Sequence, residues 1–246
     1  MFTTTGKTMP HEQMNDQQVA SYLGMDLREV TKLASRGQIP CRKVAGKFLF
    51  RKGDLDHWIE TQLHTLGKDR LADIAKGVSD HHGFDDKSLL VHPLIPAGGL
   101  AVPLPAKTRQ AALRALVDLA ERAQMVYAPD VLLDEIRMRE EMCSTALAGG
   151  IALPHPRHPL EYDIADSFVV VGLTPSGIPF GAHDGSLTRL LFLICCKDER
   201  THLHILARLG SMLNDQTVVD KLLEAEDADN LRRMLLAEEQ ALVNSD

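Results

Sequence analysis

The chain has 246 residues, enough for one or two domains with cores of their own, and its 44% hydrophobic and 25% charged residues are ordinary for a globular protein. A net charge of −7 argues against a protein that coats nucleic acid nonspecifically, while a local DNA-binding module stays compatible with it. No apolar run approaches the roughly 18 residues of a membrane-spanning helix, and the first residues lack the apolar core of a secretory signal, so we expect a cytoplasmic protein without membrane insertion.

The first ordered block begins near Asn15 and ends near Leu66. Its pattern predicts two short helices separated by a turn at Gly24, then a hairpin around Ala45-Gly46, then a third helix. The expected helix N-caps are Asn15 or Asp16, Asp26 and Asp54. This order of elements is typical of a helix-turn-helix domain with a wing.

This block resembles the excisionase or MerR-like winged helix-turn-helix DNA-binding family. The resemblance rests on the residues VASYLGMDLREVTKLASRGQIP, followed by the hairpin and FRKGDLDHW. The resemblance implies that the second helix enters the major groove and that the wing contacts phosphates. The DNA-binding residues that it implies are Arg28, Thr31, Lys32, Arg36, Arg42 and Lys47.

Charge limits how strongly this block can bind DNA. Residues 12–67 contain eight Lys or Arg against seven Asp or Glu, a net charge of only +1. Because phosphate contacts dominate affinity for DNA, we expect binding to require a homodimer that pairs two half-sites. The alternative is a solvated charged face on a small domain that contacts protein.

The remaining chain predicts a second domain. Residues 67–88 are polar and weakly periodic and are interpreted as a linker between domains at 12–66 and 89–246. Beyond it, helical periodicity at 107–123 and 129–142 gives way to strand-like runs from 151, 167 and 189, and helices return from 201, 217 and 228. We therefore expect an α/β protein with a C-terminal mixed sheet sandwiched by helices, preceded by a small winged helix-turn-helix domain.

The four cysteines show no C-x-x-C spacing and are interpreted as buried thiols of a reducing compartment. Cys195 and Cys196 are adjacent in the run RLLFLICC, so a strand there would point them to opposite faces.

The segment GGIALPHPRHP, residues 149–159, raises the functional question. Its three prolines exclude a helix, so His155 lies on a turn that leaves a short strand. A structural histidine is one interpretation. A metal site is disfavoured because no ligand spacing links the available imidazoles, and a nucleophilic triad because no G-x-S-x-G segment occurs. The imidazoles considered are His155, His158, His183, His202 and His204.

The other interpretation is that the imidazole itself accepts a phosphoryl group. A neutral ring nitrogen is nucleophilic near pH 7. For phosphoryl transfer the protein mainly has to position the reacting groups and to supply cationic or hydrogen-bond donor groups. Arg139, Arg157 and His202, which begins a helix, are candidates for that support.

Four segments in this order resemble the enzyme IIA domains of the phosphoenolpyruvate-dependent sugar phosphotransferase system, in the fructose, mannitol and nitrogen-regulatory branch. They are MREEMCSTALAGGIALPH, GIPFGAHDG, RLLFLICC and THLHILARLGSML, and the likeness extends from Leu89 to the end. The resemblance implies that His155 takes phosphate from an HPr-like carrier and passes it to a IIB domain or a regulatory target, with Arg139 and His202 beside it. It implies no cofactor and no metal, since the phosphoryl group comes from phosphoenolpyruvate through enzyme I and HPr. His204 is expected on a helix face and His183 in the loop before RLLFLICC.

Pro156 is a departure from that family, which usually has glycine after its histidine. Proline has no amide to donate, so we expect phosphate to lose that backbone contact, with Arg157 or His158 as compensation. Phosphotransfer also requires that residue 155 lie near 139 and 202 and stay open to incoming carriers.

Because the chain carries no permease or IIB domain, we favour a phosphocarrier that regulates through its attached DNA-binding domain. One alternative is a DNA-binding regulator whose IIA domain is only a sensor or dimerisation surface. Another is a plain sugar-transport IIA component with an N-terminal protein adaptor.

Overall fold

The computed structural model describes residues 13–62, 73, 74, 77 and 88–244. Most of the linker expected over 67–88 therefore lies outside the described residues.

The N-terminal domain contains three helices and a small sheet. Its elements are β1 (Gln13–Asn15), α1 (Asp16–Tyr22), α2 (Leu27–Ser35), β2 (Arg42–Val44), β3 (Lys47–Arg51) and α3 (Lys52–Gln62). The sheet order is β1-β3-β2, with both pairs antiparallel. Strand β1 was not predicted, because three residues with a single buried side chain, Met14, give no measurable alternation.

Two of the three expected caps are confirmed. Asn15 forms a capping box with Gln18, and the Asp26 carboxylate accepts the amide of Arg28 at 2.8 Å. The Asp54 cap is wrong, because α3 begins two residues earlier at Lys52 and Asp54 lies in its first turn.

A buried ion pair explains the early start of α3. The Nζ atom of Lys52 donates to Asp56 Oδ2 at 2.8 Å, an i, i+4 contact that forms only when residues 52–56 are helical. The Tyr22 hydroxyl donates to the other Asp56 oxygen at 2.6 Å, which ties α3 to α1. All three side chains are buried, so this polar cluster fixes the position of α3 in the domain.

The predicted tight hairpin is present. Ala45 and Gly46 have φ angles of 48° and 82°, the positive pair that a two-residue type I′ turn requires. The turn joins β2 and β3 into the wing, and all three residues of β2 are exposed.

The C-terminal domain is built on a five-stranded mixed sheet in the order β4-β7-β8-β6-β5. The strands are β4 (Leu100–Ala101), β5 (Ala146–Leu147), β6 (Ile151–Ala152), β7 (Phe168–Ile178) and β8 (Thr188–Cys195). The helices are α4 (Arg109–Arg122), α5 (Pro129–Met142), α6 (Glu199–Leu213), α7 (Gln216–Leu223) and α8 (Ala228–Val243). Strands β4 and β6 pair in parallel with β7 and β8, which pair antiparallel with each other.

Helices cover both faces of this sheet, which confirms the expected architecture. One face packs against α4 and α5, and the other packs against α6, α7 and α8. Cys195 belongs to the first core and Cys196 to the second, as strand alternation predicts. Burial raises the pKa of both thiols. The prediction of buried thiols is wrong for Cys143, which is exposed after the end of α5, outside the apolar stripe of that helix.

Among the helices of the described residues, none has both the length and the apolar character needed to cross a bilayer.

A buried carboxylate of the last helix accepts hydrogen bonds from the backbone at the start of the C-terminal domain. Glu239 of α8 is 1% exposed and accepts the amides of Leu90, Val91 and His92 at 2.7, 2.7 and 2.8 Å. We expect Glu239→Ala to lower the free energy of unfolding by about 3 kcal/mol, because it removes charge-assisted hydrogen bonds and leaves buried donors unpaired. Urea denaturation of both proteins measures the difference.

Glu238 provides the matched control on the same helix. Its carboxylate pairs with Lys221 at 3.0 Å, and that lysine side chain is 59% exposed. Glu238→Ala should therefore cost less than about 1 kcal/mol. Equal losses in the two variants would contradict the role given to Glu239.

Candidate functional site

The turn that bears His155 is fastened at both ends to the end of β8. The carbonyl of Pro154 accepts the amide of Ile194 at 3.0 Å, and the amide of Leu160 donates to the carbonyl of Cys196 at 3.1 Å. Between these bonds the prolines prevent regular structure, so the chain bends outward and back. His155 is thereby held at the carboxyl end of β6, in the place that the sequence predicts.

The hydrogen bonds of the His155 ring determine its tautomer. Nδ1 lies 2.7 Å from the carbonyl oxygen of Leu153, which can only accept, so Nδ1 carries the proton and donates. Nε2 accepts a hydrogen bond from Nε of Arg139 at 3.2 Å. The neutral ring therefore directs the lone pair of Nε2 toward a cation.

Arg139 reaches this ring from the last turn of α5. Its side chain is buried, and Nη1 donates to the carbonyl of Cys143 at 3.0 Å, just beyond the helix end. That second bond fixes the plane of the guanidinium beside His155. A buried arginine held in this way presents a preorganised positive charge and several donors to the space around Nε2.

A chain of hydrogen bonds connects Glu140 to the His155 turn. The buried Glu140 carboxylate accepts the amide and hydroxyl of Thr145, at 3.0 and 2.6 Å, and the Thr145 carbonyl accepts the amide of Leu153 at 3.1 Å. Leu153 then accepts Nδ1 of His155. Burial raises the pKa of Glu140, while the Thr145 hydrogen bonds and Arg109, 4.0 Å away, act in the opposite direction. The positioning residues Glu140 and Thr145 were not predicted from the sequence.

The spacing of the buried residues in α5 contains a signal for Glu140. Its buried residues are Leu132, Leu133, Ile136, Arg139 and Glu140. The two charged residues continue the three-and-four spacing of the apolar stripe, so they had to face inward. A charged pair at such positions indicates a buried polar site.

His202 completes the predicted group. It lies in the first turns of α6, whose N-cap Asp198 accepts the amide of Thr201 at 2.8 Å. The His155 and His202 ring centroids are 4.9 Å apart, with the planes inclined by 56°. The structure thus brings His155, Arg139 and His202 together, on three different elements.

One expectation about His155 is wrong. The residue is 3% exposed, so it is not open to an incoming protein in this arrangement of the chain. Pro156 is buried as well, whereas Arg157 and His158 are exposed.

The other histidines lie where the sequence predicts. His183 is exposed in the loop between β7 and β8, and His204 is buried on α6. Within the part of the chain that the structure describes, no three His, Cys, Asp or Glu side chains gather where they could hold a metal ion.

A cleft of about 630 Å³ lies between the two domains beside the histidine site. Its walls are formed by residues of the wing base and α3 on one side, and of the proline turn and α6 on the other. The lining residues are Pro40, Gly53, Asp54, Asp56 and Trp58, then Pro156, Arg157, His158, Pro159, Cys196, Glu199, His202 and Leu203.

Most of the residues proposed for DNA contact are exposed on the N-terminal domain. Helix α2 buries Val30 and Ala34 and directs its basic residues outward. Five of the six are exposed, namely Arg28, Lys32, Arg36, Arg42 and Lys47. Thr31 is half-buried, and its hydroxyl donates to the carbonyl of Leu27 at 2.8 Å, so its proton is already engaged in the helix.

Two family descriptions match this chain. Residues 97–238 match "Phosphoenolpyruvate-dependent sugar phosphotransferase system, EIIA 2", and residues 14–63 match "Helix-turn-helix domain". The first covers more than half of the chain.

Curated relatives agree with the first match. The fructose-specific EIIA component of Haloferax volcanii is 30% identical over 147 residues, which are 59% of this chain and 94% of the relative. The nitrogen regulatory protein of Escherichia coli is 31% identical over 131 residues, 52% of this chain and 78% of that protein.

Solved structures share the fold of the C-terminal domain. The nitrogen regulatory protein IIA-Ntr of Neisseria meningitidis aligns with a TM-score of 0.52 at 20% identity, over 58% of this chain and 97% of that one. The mannitol IIA enzyme of E. coli, solved in complex with phosphorylated IIB, aligns with a TM-score of 0.51 at 22% identity, over 57% and 96%. The chain therefore belongs to the EIIA type 2 family of the phosphoenolpyruvate-dependent sugar phosphotransferase system, and a helix-turn-helix domain precedes its EIIA domain.

Proposed function

We propose that this protein is a phosphohistidine carrier, with His155 as the phosphoryl acceptor, that regulates through its helix-turn-helix domain. The observation that carries the proposal is the state of His155 Nε2. It is unprotonated, faces the Arg139 guanidinium, and lies next to a second imidazole at the start of a helix. A nucleophile with cationic and donor groups around it is what phosphoryl transfer requires.

The transfer step follows from these positions. The lone pair of Nε2 attacks phosphorus, a new N–P bond forms, and the N–P bond to the phosphohistidine of the carrier breaks as that nitrogen recovers its electron pair. Nδ1 keeps its proton throughout, held by the Leu153 carbonyl, so the His155 ring neither gains nor loses a proton. The Arg139 donor that occupies Nε2 in the resting state then turns to the phosphoryl oxygens, with His202 on the other side.

The partners of this step are proteins. The mannitol IIA enzyme of E. coli was solved with phosphorylated IIB. By analogy we expect phosphate to arrive from an HPr-like carrier, which receives it from phosphoenolpyruvate through enzyme I, and to leave for a IIB domain or a regulatory target protein. No cofactor enters this chemistry.

Reconstitution tests the phosphocarrier proposal. The full chain is incubated with phosphoenolpyruvate, enzyme I and HPr, or the nitrogen-branch counterparts of these proteins, and analysed by intact mass and peptide mapping. We expect one acid-labile phosphoryl group per chain, on the peptide that contains His155. An unmodified chain with both sets of proteins contradicts the proposal.

The proposed regulatory role rests on the exposed surface of α2 and the wing. The exposed basic residues project away from the domain core, and the wing hairpin closes in a tight type I′ turn. We infer that α2 lies in a major groove while the wing contacts the backbone, with two chains pairing two half-sites. The modest charge of the domain makes each phosphate contact important.

Removing two wing charges tests this surface. The double variant Arg42→Ala with Lys47→Ala should weaken binding to all DNA sequences and reduce the slope of log affinity against log salt by about two. Duplexes selected from a random library of 30 base pairs provide the probe, and fluorescence anisotropy gives the affinity.

Arg122→Ala with Arg233→Ala is the matched control, since both arginines are exposed on the C-terminal domain. It should leave the salt slope unchanged. Equal slopes for the wing variant and this control would exclude the wing from DNA contact.

A further inference from the structure

The two domains are in contact on the side of the EIIA domain that bears His155. Helix α3 packs against α6, the helix that contributes His202. The buried apolar side chains of the N-terminal domain and of the α6–α8 face of the sheet form one continuous core cluster. The N-terminal domain is therefore docked on its neighbour rather than tethered at a distance.

The docked domain stands over the immediate neighbours of the phosphoryl acceptor. Pro156, which follows His155, and His202, whose ring is next to it, line the cleft, and the opposite wall is formed by Asp54, Asp56 and Trp58. The cleft volume of about 630 Å³ suits a small molecule. A carrier protein needs a surface of roughly 800 Å² on its partner, which this cleft does not offer.

The walls of the cleft differ in charge. The wall from the N-terminal domain presents Asp54 and Asp56, and the facing wall presents one arginine, Arg157, and one carboxylate, Glu199, beside the imidazoles of His158 and His202. Asp56 is neutralised by Lys52 at 2.8 Å, whereas exposed Asp54 forms no ion pair with any described residue. Electrostatic attraction between Asp54 and Arg157 of the facing wall thus favours the docked state.

We propose that the surface around His155 is the docking face for the N-terminal domain of this chain, and that the domain and the phosphocarrier compete for it. Docking holds the unphosphorylated chain in a state that carriers react with slowly. The exposed DNA-contact residues of α2 and the wing stay accessible while the domain is docked. Pro156 then has a second role, because a rigid apolar residue next to the histidine contributes to the floor of the docking cleft.

Phosphorylation makes the EIIA side of the cleft negative. A phosphoryl group on His155 adds roughly two negative charges next to the wall that bears Arg157. These charges outweigh Arg157 and repel the acidic wall with Asp54, and the group also needs volume next to Pro156. The phosphorylated chain therefore favours the undocked state, which links the proposed phosphocarrier function to the helix-turn-helix domain.

Asp54→Lys tests the competition without touching the histidine site. Like charges across the cleft should weaken docking, so the rate of phosphorylation by the carrier should rise about threefold to fivefold, and more at low salt. Glu224→Lys is the control, since it reverses an exposed carboxylate outside the cleft and should leave the rate unchanged. Equal rates for Asp54→Lys, Glu224→Lys and the original chain would overturn the proposal.

Trp58 supplies a second readout that is independent of phosphotransfer. It is the only tryptophan in the sequence and lines the cleft, so its emission reports on docking. We expect a red shift and stronger acrylamide quenching in unphosphorylated Asp54→Lys, and in the original chain after phosphorylation. If the chain accepts no phosphate, the phosphocarrier function fails. The emission of Trp58 in unphosphorylated Asp54→Lys, compared with the unphosphorylated original chain, still tests docking. A red shift supports the docked state, and identical emission overturns it.

Discussion

Replacement of His155 by glutamine is expected to abolish phosphorylation of the chain completely. Glutamine can still accept a hydrogen bond from Arg139, so the buried guanidinium keeps a partner and the fold should survive. An amide nitrogen is not nucleophilic, however, so no bond to phosphorus can form. Intact mass after incubation with phosphoenolpyruvate, enzyme I and the carrier measures the result.

Two neighbouring histidines provide the comparison. His158 is exposed, whereas the His155 ring is buried against Arg139, so His158→Gln should keep full phosphorylation. His202→Gln should still accept phosphate, but more slowly, because a donor beside the phosphoryl group is altered. Phosphate retained in His155→Gln and lost in either of the others would place the acceptor elsewhere.

Arg139→Gln is expected to lower the rate of phosphoryl transfer by roughly 100-fold to 1,000-fold. The guanidinium is buried, is oriented by the Cys143 carbonyl and contacts the reacting nitrogen, so its charge acts where solvent does not screen it. Glutamine preserves some hydrogen bonding but removes the positive charge. Quench-flow kinetics with phosphorylated carrier gives the rate.

Arg137 on the same helix is the matched control. Its side chain is 38% exposed and pairs with Asp134 at 3.4 Å, away from the site. Arg137→Gln should transfer at the original rate, and Arg139→Lys should recover part of the loss, since lysine restores the charge but not the planar fork. A rate for Arg139→Gln within fivefold of the original would show that the guanidinium has only a structural role.

The turn that bears His155 was readable from the sequence because it is local, whereas the places of Arg139 and His202 beside it, on two other elements, were implied by the family resemblance. The prolines around His155 define the turn, and the stripe of α5 places Arg139 on the inner face of its helix. The layered fold followed from strand runs between helices. Strands β4 and β5 escaped prediction because each has only two residues and neither lies in a distinct apolar run between turn residues, as the equally short β6 does in GGIALP.

The burial of His155 could not be predicted in that way. It depends on contacts between elements far apart in sequence, since Arg139 of α5 and His202 of α6 both lie against the ring. The start of α3 at Lys52 likewise depends on a tertiary cluster that includes Tyr22. Sequence patterns report the periodicity of one element and carry little information about contacts between elements.

The central claim is that Nε2 of His155 is the atom that accepts phosphate. Phosphorus–nitrogen couplings measured by NMR on the phosphorylated chain, labelled with ¹⁵N in its histidine rings, test it directly. We expect a single phosphorus bonded to Nε2 of His155, with Nδ1 still protonated. Phosphorus on Nδ1 of that ring, or on any other residue, contradicts it.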